Sequence, residues 1–132
     1  MTGETDLHRL LKTMQATLNP GSYVFCQAED LSGVELAEVI GMFREAEGMT
    51  LIVRREYADV RGWNYDYVAA WITLRVHSSL AAVGLTATFS GALAGAGISC
   101  NVVAALYHDH IFVAEADAER ALAVLHALAA SA

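Results

Sequence analysis

Residues 77–86, His-Ser-Ser-Leu-Ala-Ala-Val-Gly-Leu-Thr, join an alternating apolar run to a helical one. This junction is the place where the sequence can best hold a small polar ligand. A helix N-terminus carries free N–H groups and the positive end of the helix dipole, so it holds a carboxylate without a basic side chain. Val83, Gly84, Leu85 and Thr86 supply those groups, and Gly84 leaves room for a ligand backbone to approach. Ser78, Ser79 and Thr86 add hydroxyls, and His77 a further donor or acceptor. The same residue types also serve plain structural ends, since Ser and Thr cap helices and glycine relieves strain.

Other chemistries have weaker claims. His108-Asp109-His110 offers two imidazoles and a carboxylate, a donor set that zinc or a similar ion accepts. In a tight hairpin, however, alternate residues need not converge, and no helical Glu–His motif stands beside them. A polar turn is the preferred reading, with a metal-dependent enzyme as its rival. Ser90-Gly91 follows Phe89 inside a helical pattern, so it is no nucleophile elbow. Cys26 and Cys100 are spaced for neither a zinc site nor a redox pair. Both sit in strand-like runs and read as buried free thiols of a reducing compartment. Trp63, Tyr65 and Tyr67 either form a lid or pack onto the core, and packing is expected. No cofactor and no catalysis are expected.

Several elements must position that junction. Ile72, Leu74 and Val76 alternate with Trp71, Thr73 and Arg75, which predicts a half-buried strand over 70–77. Leu85, Phe89, Ala92, Leu93 and Ala96 repeat every three to four residues, predicting a helix over 83–96 that Gly97 ends in the left-handed conformation. Strands over 99–107 and 110–114 follow, joined by a turn at His108-Asp109. Asp117 and Glu119 then open a last helix over 117–129. Upstream, Leu7, Leu10, Leu11, Met14 and Leu18 predict one amphipathic helix capped by Thr5 or Asp6 and stopped at Asn19-Pro20-Gly21. Ser22–Gln27 reads as a strand, and Glu56–Arg61 as a short helix. Val34–Glu47 fits both helix and hairpin; Gly41 weakens the helix, so a short helical turn and two antiparallel strands are expected.

The ordered series Val83-Gly84-Leu85-Thr86, Ser90-Gly91-Ala92-Leu93 and Ala96-Gly97-Ile98-Ser99-Cys100-Asn101 resembles the first half of an ACT domain, the amino-acid-binding regulatory module of aspartate kinases. His110–Val113 and Asp117–Ala121 resemble its later strand and second helix. The whole chain resembles small bacterial proteins of two ACT-like units, with Arg44–Leu51 in the first. The resemblance implies an α/β (α+β, ferredoxin-like) fold: an antiparallel sheet covered by helices, with a degenerate unit over 1–68 and an ACT domain over 69–132. It also places the ligand between the loop at His77–Ser79 and the strand start at Ile98, Ser99 and Asn101, where Asn101 receives the ammonium or a polar side chain. The second unit lacks a closing strand after Leu128, so an N-terminal strand or another subunit must supply that edge.

The totals bound the partners. In 132 residues the net charge is −7, which argues against nucleic acid, whose phosphates need a basic surface. No run approaches the roughly 18 apolar residues of a membrane span. Met1–Asp6 shows no basic and apolar leader, so a cytoplasmic protein is expected. With 55% hydrophobic and 17% charged residues the chain is a folded one, rich enough in small apolar residues for a homodimer. The function expected is non-catalytic, allosteric regulation: a small molecule, expected to be an amino acid, is bound and a separate protein target responds. The rival to that is a self-associating module without ligand.

Overall fold

Ile72, Leu74 and Val76 are all buried in one apolar cluster while Arg75 is exposed, as a pleated strand with one covered face requires. The computed structural model describes residues 6–76 and 79–132. In chain order the elements are α1 (Leu7–Thr13), β1 (Gln15–Leu18), β2 (Tyr23–Ala28), β3 (Val39–Glu45), β4 (Gly48–Arg54), α2 (Arg55–Arg61), β5 (Val68–Arg75), α3 (Leu85–Gly95), β6 (Asn101–Ala104), β7 (Asp109–Ala114) and α4 (Ala118–Ala130). Short 3-10 turns lie at Leu36–Glu38 and Glu115–Asp117. This is the mixed α/β, ferredoxin-like architecture expected. The chain divides into two compact units, residues 1–20 with 70–132, and residues 21–69.

The larger unit holds strands in the order β1-β5-β7-β6, with β1 antiparallel to β5 (Gln15 opposite Arg75, Leu18 opposite Ile72) and β6 antiparallel to β7. Leu10 of α1, Leu85, Phe89 and Leu93 of α3, and Ala121 and Leu125 of α4 share one buried cluster with Ile72, Leu74, Ile111 and Val113. Fully burying such side chains contributes about 1.5–3 kcal/mol each before chain entropy is set against it. Helix α3 ends as its sequence predicts. Gly97 takes φ 76°, its N–H reaches Ala94 O at 2.9 Å, and Ile98 N–H reaches Leu93 O at 2.9 Å.

The smaller unit runs β3-β4-β2 and the first residues of β5, with Val24 opposite Val68 and Tyr23 opposite Ala69. Val24, Cys26, Leu51 and Val53 form its buried cluster under Ala58 of α2. The hairpin expected over 34–47 and its successor is present, with Glu45 opposite Gly48. Ile52 Cδ1 lies 3.4 Å from where a Cβ on Gly41 would sit, so the bulged edge strand is tightly backed there. Trp63 and Tyr65 pack on this cluster: Trp63 meets Tyr57 edge-on at 5.6 Å, and Tyr65 OH donates to Asp59 Oδ1 at 2.8 Å. Packing, rather than a lid, accounts for both.

Three expectations need correction. The helix expected over 7–18 stops at Thr13, and Gln15–Leu18 is a strand. Asp6 caps it as predicted, accepting from Arg9 N at 3.2 Å. Thr13 Oγ1 then donates back to Arg9 O at 2.8 Å, and Met14 turns extended (φ −63°, ψ 131°). Strand β1 thereby supplies the closing edge that the second unit lacked, from the same chain. Strand β6 is shorter than 99–107, and the turn lies over 105–108, where Ala105 N–H reaches His108 O at 3.1 Å. Asp117 does not cap α4 with its side chain; its carboxylate accepts from Arg120 Nη1 at 2.9 Å.

Candidate functional site

The loop after β5 delivers the chain to α3 through Gly84, whose φ of 100° and ψ of −17° lie in the left-handed region. No side chain caps α3, so its first N–H groups are left for water or a ligand. Gly84 O accepts Thr88 N at 3.0 Å and Thr88 Oγ1 at 2.7 Å, which ties the first turn together. Ser79 Oγ accepts Ala81 N at 3.1 Å, and Thr86 O accepts the Ser90 hydroxyl at 2.6 Å. Ser79 therefore shapes the loop as well as facing the hollow beside it.

That hollow is a cavity of ≈ 60 Å³. Val76, Ser79, Leu85 and Thr86 line one side, and Ala104, Tyr107, His108 and Asp109 of the β6–β7 hairpin line the other. Asp109 is only 9% exposed and has no hydrogen-bond or ion-pair partner among the described residues. Burial pushes its carboxyl above the ordinary range, while the neighbouring His108 pulls the other way. His108 Nδ1 is buried without a hydrogen-bond partner among the described residues.

His110 does not join them. It faces the opposite side of the sheet, where its Nδ1 accepts from Trp71 Nε1 at 3.1 Å and lies 3.2 Å from Thr73 Oγ1. Asn19 Nδ2 donates to that same hydroxyl at 2.9 Å. Burial, then His108, then Arg75 hold the His110 imidazole below its ordinary pKa. The three residues of His108-Asp109-His110 therefore do not converge, and no group of three metal-ligating side chains occurs among the described residues. Burial pushes the Cys100 thiol up to about 11, and Cys26 is also raised, by burial and then by Asp59. Both thiols are free.

The residues expected from sequence are only partly brought together. Ser79, Leu85 and Thr86 line the cavity, while Val83 is exposed and Gly84 precedes them at the helix start. Leu7 of α1 occupies the space beside Gly84, with its Cδ2 3.2 Å from where a Cβ would be. Ile98 is core, Ser99 is exposed, and Asn101 Nδ2 donates to Phe112 O at 3.3 Å. Asn101 stands at the far end of β6 from Ala104, about 10 Å along the strand. His77 and Ser78 lie outside the described residues. The sequence reading weighed Asp109 only as a metal ligand in the turn and not as a carboxylate lining this cavity. Its parity with Ile111 and Val113 was the available signal, because an acid at a core-facing strand position needs a reason.

An ACT-domain family model matches residues 2–70, and a second ACT-domain model matches residues 67–127. The chain belongs to the ACT domain family. Among solved structures, a Vibrio cholerae protein of unknown function, described as a possible transport protein, is 45% identical with a TM-score of 0.85; the match covers 95% of this chain and 97% of that one. An Agrobacterium tumefaciens protein shares the fold at 18% identity and TM-score 0.64, over 88% and 89% of the two chains. So does the ligand-free regulatory subunit of aspartate kinase from Thermus thermophilus, at 12% identity and TM-score 0.62, over 89% and 97%. No curated protein matches in sequence. The two matches together span residues 2–127, and among the described residues the helix that opens on the ≈ 60 Å³ cavity, α3, lies in the second. No helix of the described residues is long and apolar enough to cross a membrane.

Proposed function

We propose that this ACT-domain protein is a non-catalytic regulatory module that binds an amino acid at the start of α3. The uncapped N-terminus of α3, opening on a cavity of ≈ 60 Å³, carries the reading. Free N–H groups and the helix dipole suit an α-carboxylate there. The head group lies against Ser79, Leu85 and Thr86, with Val83 and Gly84 setting the approach. Asn101, engaged at the other end of β6, is replaced in the ammonium role. The aspartate kinase regulatory subunit of the same fold supports a regulatory part, exercised on a separate protein target.

Self-association belongs to the same proposal on revised grounds. Strand β1 removes the missing edge, but Phe43 on β3 is 71% exposed and Val103 on β6 is 43% exposed, each on an outer strand of its unit. Light scattering should give a particle of twice 14.1 kDa. A thermal-shift screen over the proteinogenic amino acids tests the ligand, because binding to the native state raises the melting temperature by mass action. One or a few amino acids should raise it in a saturable way. A flat response to all of them overturns the ligand reading.

A further inference from the structure

The N-terminus of α3 explains one pole of a ligand and leaves a buried acid unexplained. Asp109 is more than nine-tenths buried, lines the cavity and finds no hydrogen-bond partner among the described residues. The Asp109 carboxylate is not among the fully enclosed unpaired atoms, so it is reached from the cavity and is open to a ligand group. The hairpin cannot satisfy it, because the residue opposite Asp109 in register is Ala104. His108, beside it in the same cavity, leaves Nδ1 buried and unpaired. Among the described residues no third ligating side chain joins them, so a metal ion is a poor occupant.

We infer that Asp109 is the specificity-determining residue that receives the ligand's ammonium, which makes the ligand class a small zwitterionic α-amino acid rather than a simple carboxylate. The inference rests on the ligand site proposed above. The positive end of α3 and the Asp109 carboxylate face one cavity, so a ligand carrying both charges satisfies both poles. His108 Nδ1 is available to a polar atom of the same head group. A cavity of ≈ 60 Å³ has room for about four to six water-sized groups. That is the size of a glycine or alanine head group, so a longer side chain has to leave through the open side of the hollow.

Three matched probes test this by titration calorimetry: alanine, propionate without the ammonium, and ethylammonium without the carboxylate. The full chain should bind alanine, and each fragment about tenfold to a hundredfold more weakly, the range for losing a hydrogen bond to a charged group. Asp109→Asn should lose alanine by a similar factor and cease to prefer alanine to propionate. Propionate binding as tightly as alanine, or an Asp109→Asn variant that keeps the preference, overturns the role of Asp109 while leaving a carboxylate site standing. No response to any amino acid sinks the ligand site and this inference together. Without ligand, Asp109→Asn should melt no lower than the parent; a lower melting temperature would assign Asp109 to holding the hairpin instead.

Discussion

The two ACT units build the same sheet and differ in the crossover. Each has a strand, crossover, hairpin, helix and fourth strand, giving the orders β6-β7-β5-β1 and β3-β4-β2-β5; the fourth strand follows the helix in the smaller unit and comes from the start of the chain in the larger. In the larger unit the crossover is the eleven-residue α3. In the smaller one it is Glu29–Glu38, a Ser-, Gly- and Asp-containing loop whose only helical part is the three-residue turn Leu36–Glu38. Three residues of 3-10 helix present no N–H array to an anion. The hollow of the smaller unit, lined by Gln27, Glu45, Glu47 and Thr50, is acidic and more open at ≈ 350 Å³. The sheet can therefore be made without a full crossover helix, and the proposed site comes with that helix.

The largest effect should come from the cores. Phe89, fully buried under α3, and Leu51, fully buried in the smaller unit, are matched targets. Phe89→Ala should cost about 3–5 kcal/mol and Leu51→Ala about 2–5 kcal/mol, read from urea unfolding. Any amino-acid response should disappear with Phe89→Ala and survive Leu51→Ala. Loss of the response from Leu51→Ala alone would break the assignment of the site to one unit.

Periodicity carried most of the fold. The stripe Leu85, Phe89, Leu93 and the alternation of Ile72, Leu74 and Val76 each had one buried solution, and the structure adopts it. The run from Leu7 to Leu18 had two. Leu10, Met14 and Leu18 fit a helix at four-residue spacing, yet Ala16 and Leu18 also alternate against the exposed Gln15 and Thr17. A partner strand more than fifty residues away decided it, through pairs such as Leu18 with Ile72, and local pattern cannot register that. Of the candidate site, the gathering of Ser79, Leu85 and Thr86 about one hollow was legible, because helix start and loop are local features. Asp109 was hidden because its burial depends on which face of β7 meets the helices.

A smaller effect distinguishes two glycines. Gly84 before α3 and Gly62 after α2 both have positive φ, at 100° and 69°. Alanine in that region costs about 1–2 kcal/mol for backbone strain alone. At Gly62 nothing lies within 4 Å of the added Cβ, so Gly62→Ala should cost only that. At Gly84 the methyl also meets Leu7 at 3.2 Å, so Gly84→Ala should cost more, and valine more again. Equal losses in thermal unfolding would show that Leu7 yields freely. A large substituent at Gly84 therefore tests α1 packing before it tests a ligand.

The smallest effect is one of pH, and it sharpens the contrast between a buried carboxylate and an exposed one. Burial disfavours the charged form of Asp109, so its folded pKa lies above its unfolded value. A carboxyl shifted in that direction binds more protons folded than unfolded between the two values. Stability from this group is thus full below the ordinary aspartate value of about 3.9 and is lost as pH rises through the raised one. Asp109→Asn removes the dependence. Its advantage in melting temperature over the parent should be greatest above the raised value and should shrink as pH falls toward the ordinary carboxylate range. Among the described residues the other ionisable side chains sharing the cavity are Tyr107 and His108, so the comparison is repeated with His108→Gln to separate the imidazole. Glu47→Gln, at an exposed turn of the smaller unit, should stay within about 0.5 kcal/mol of the parent throughout. Alanine affinity should move oppositely to apo stability, weakening as pH falls, because the ammonium needs the charged carboxylate. An affinity that holds steady as Asp109 is protonated would place the ammonium elsewhere in the cavity.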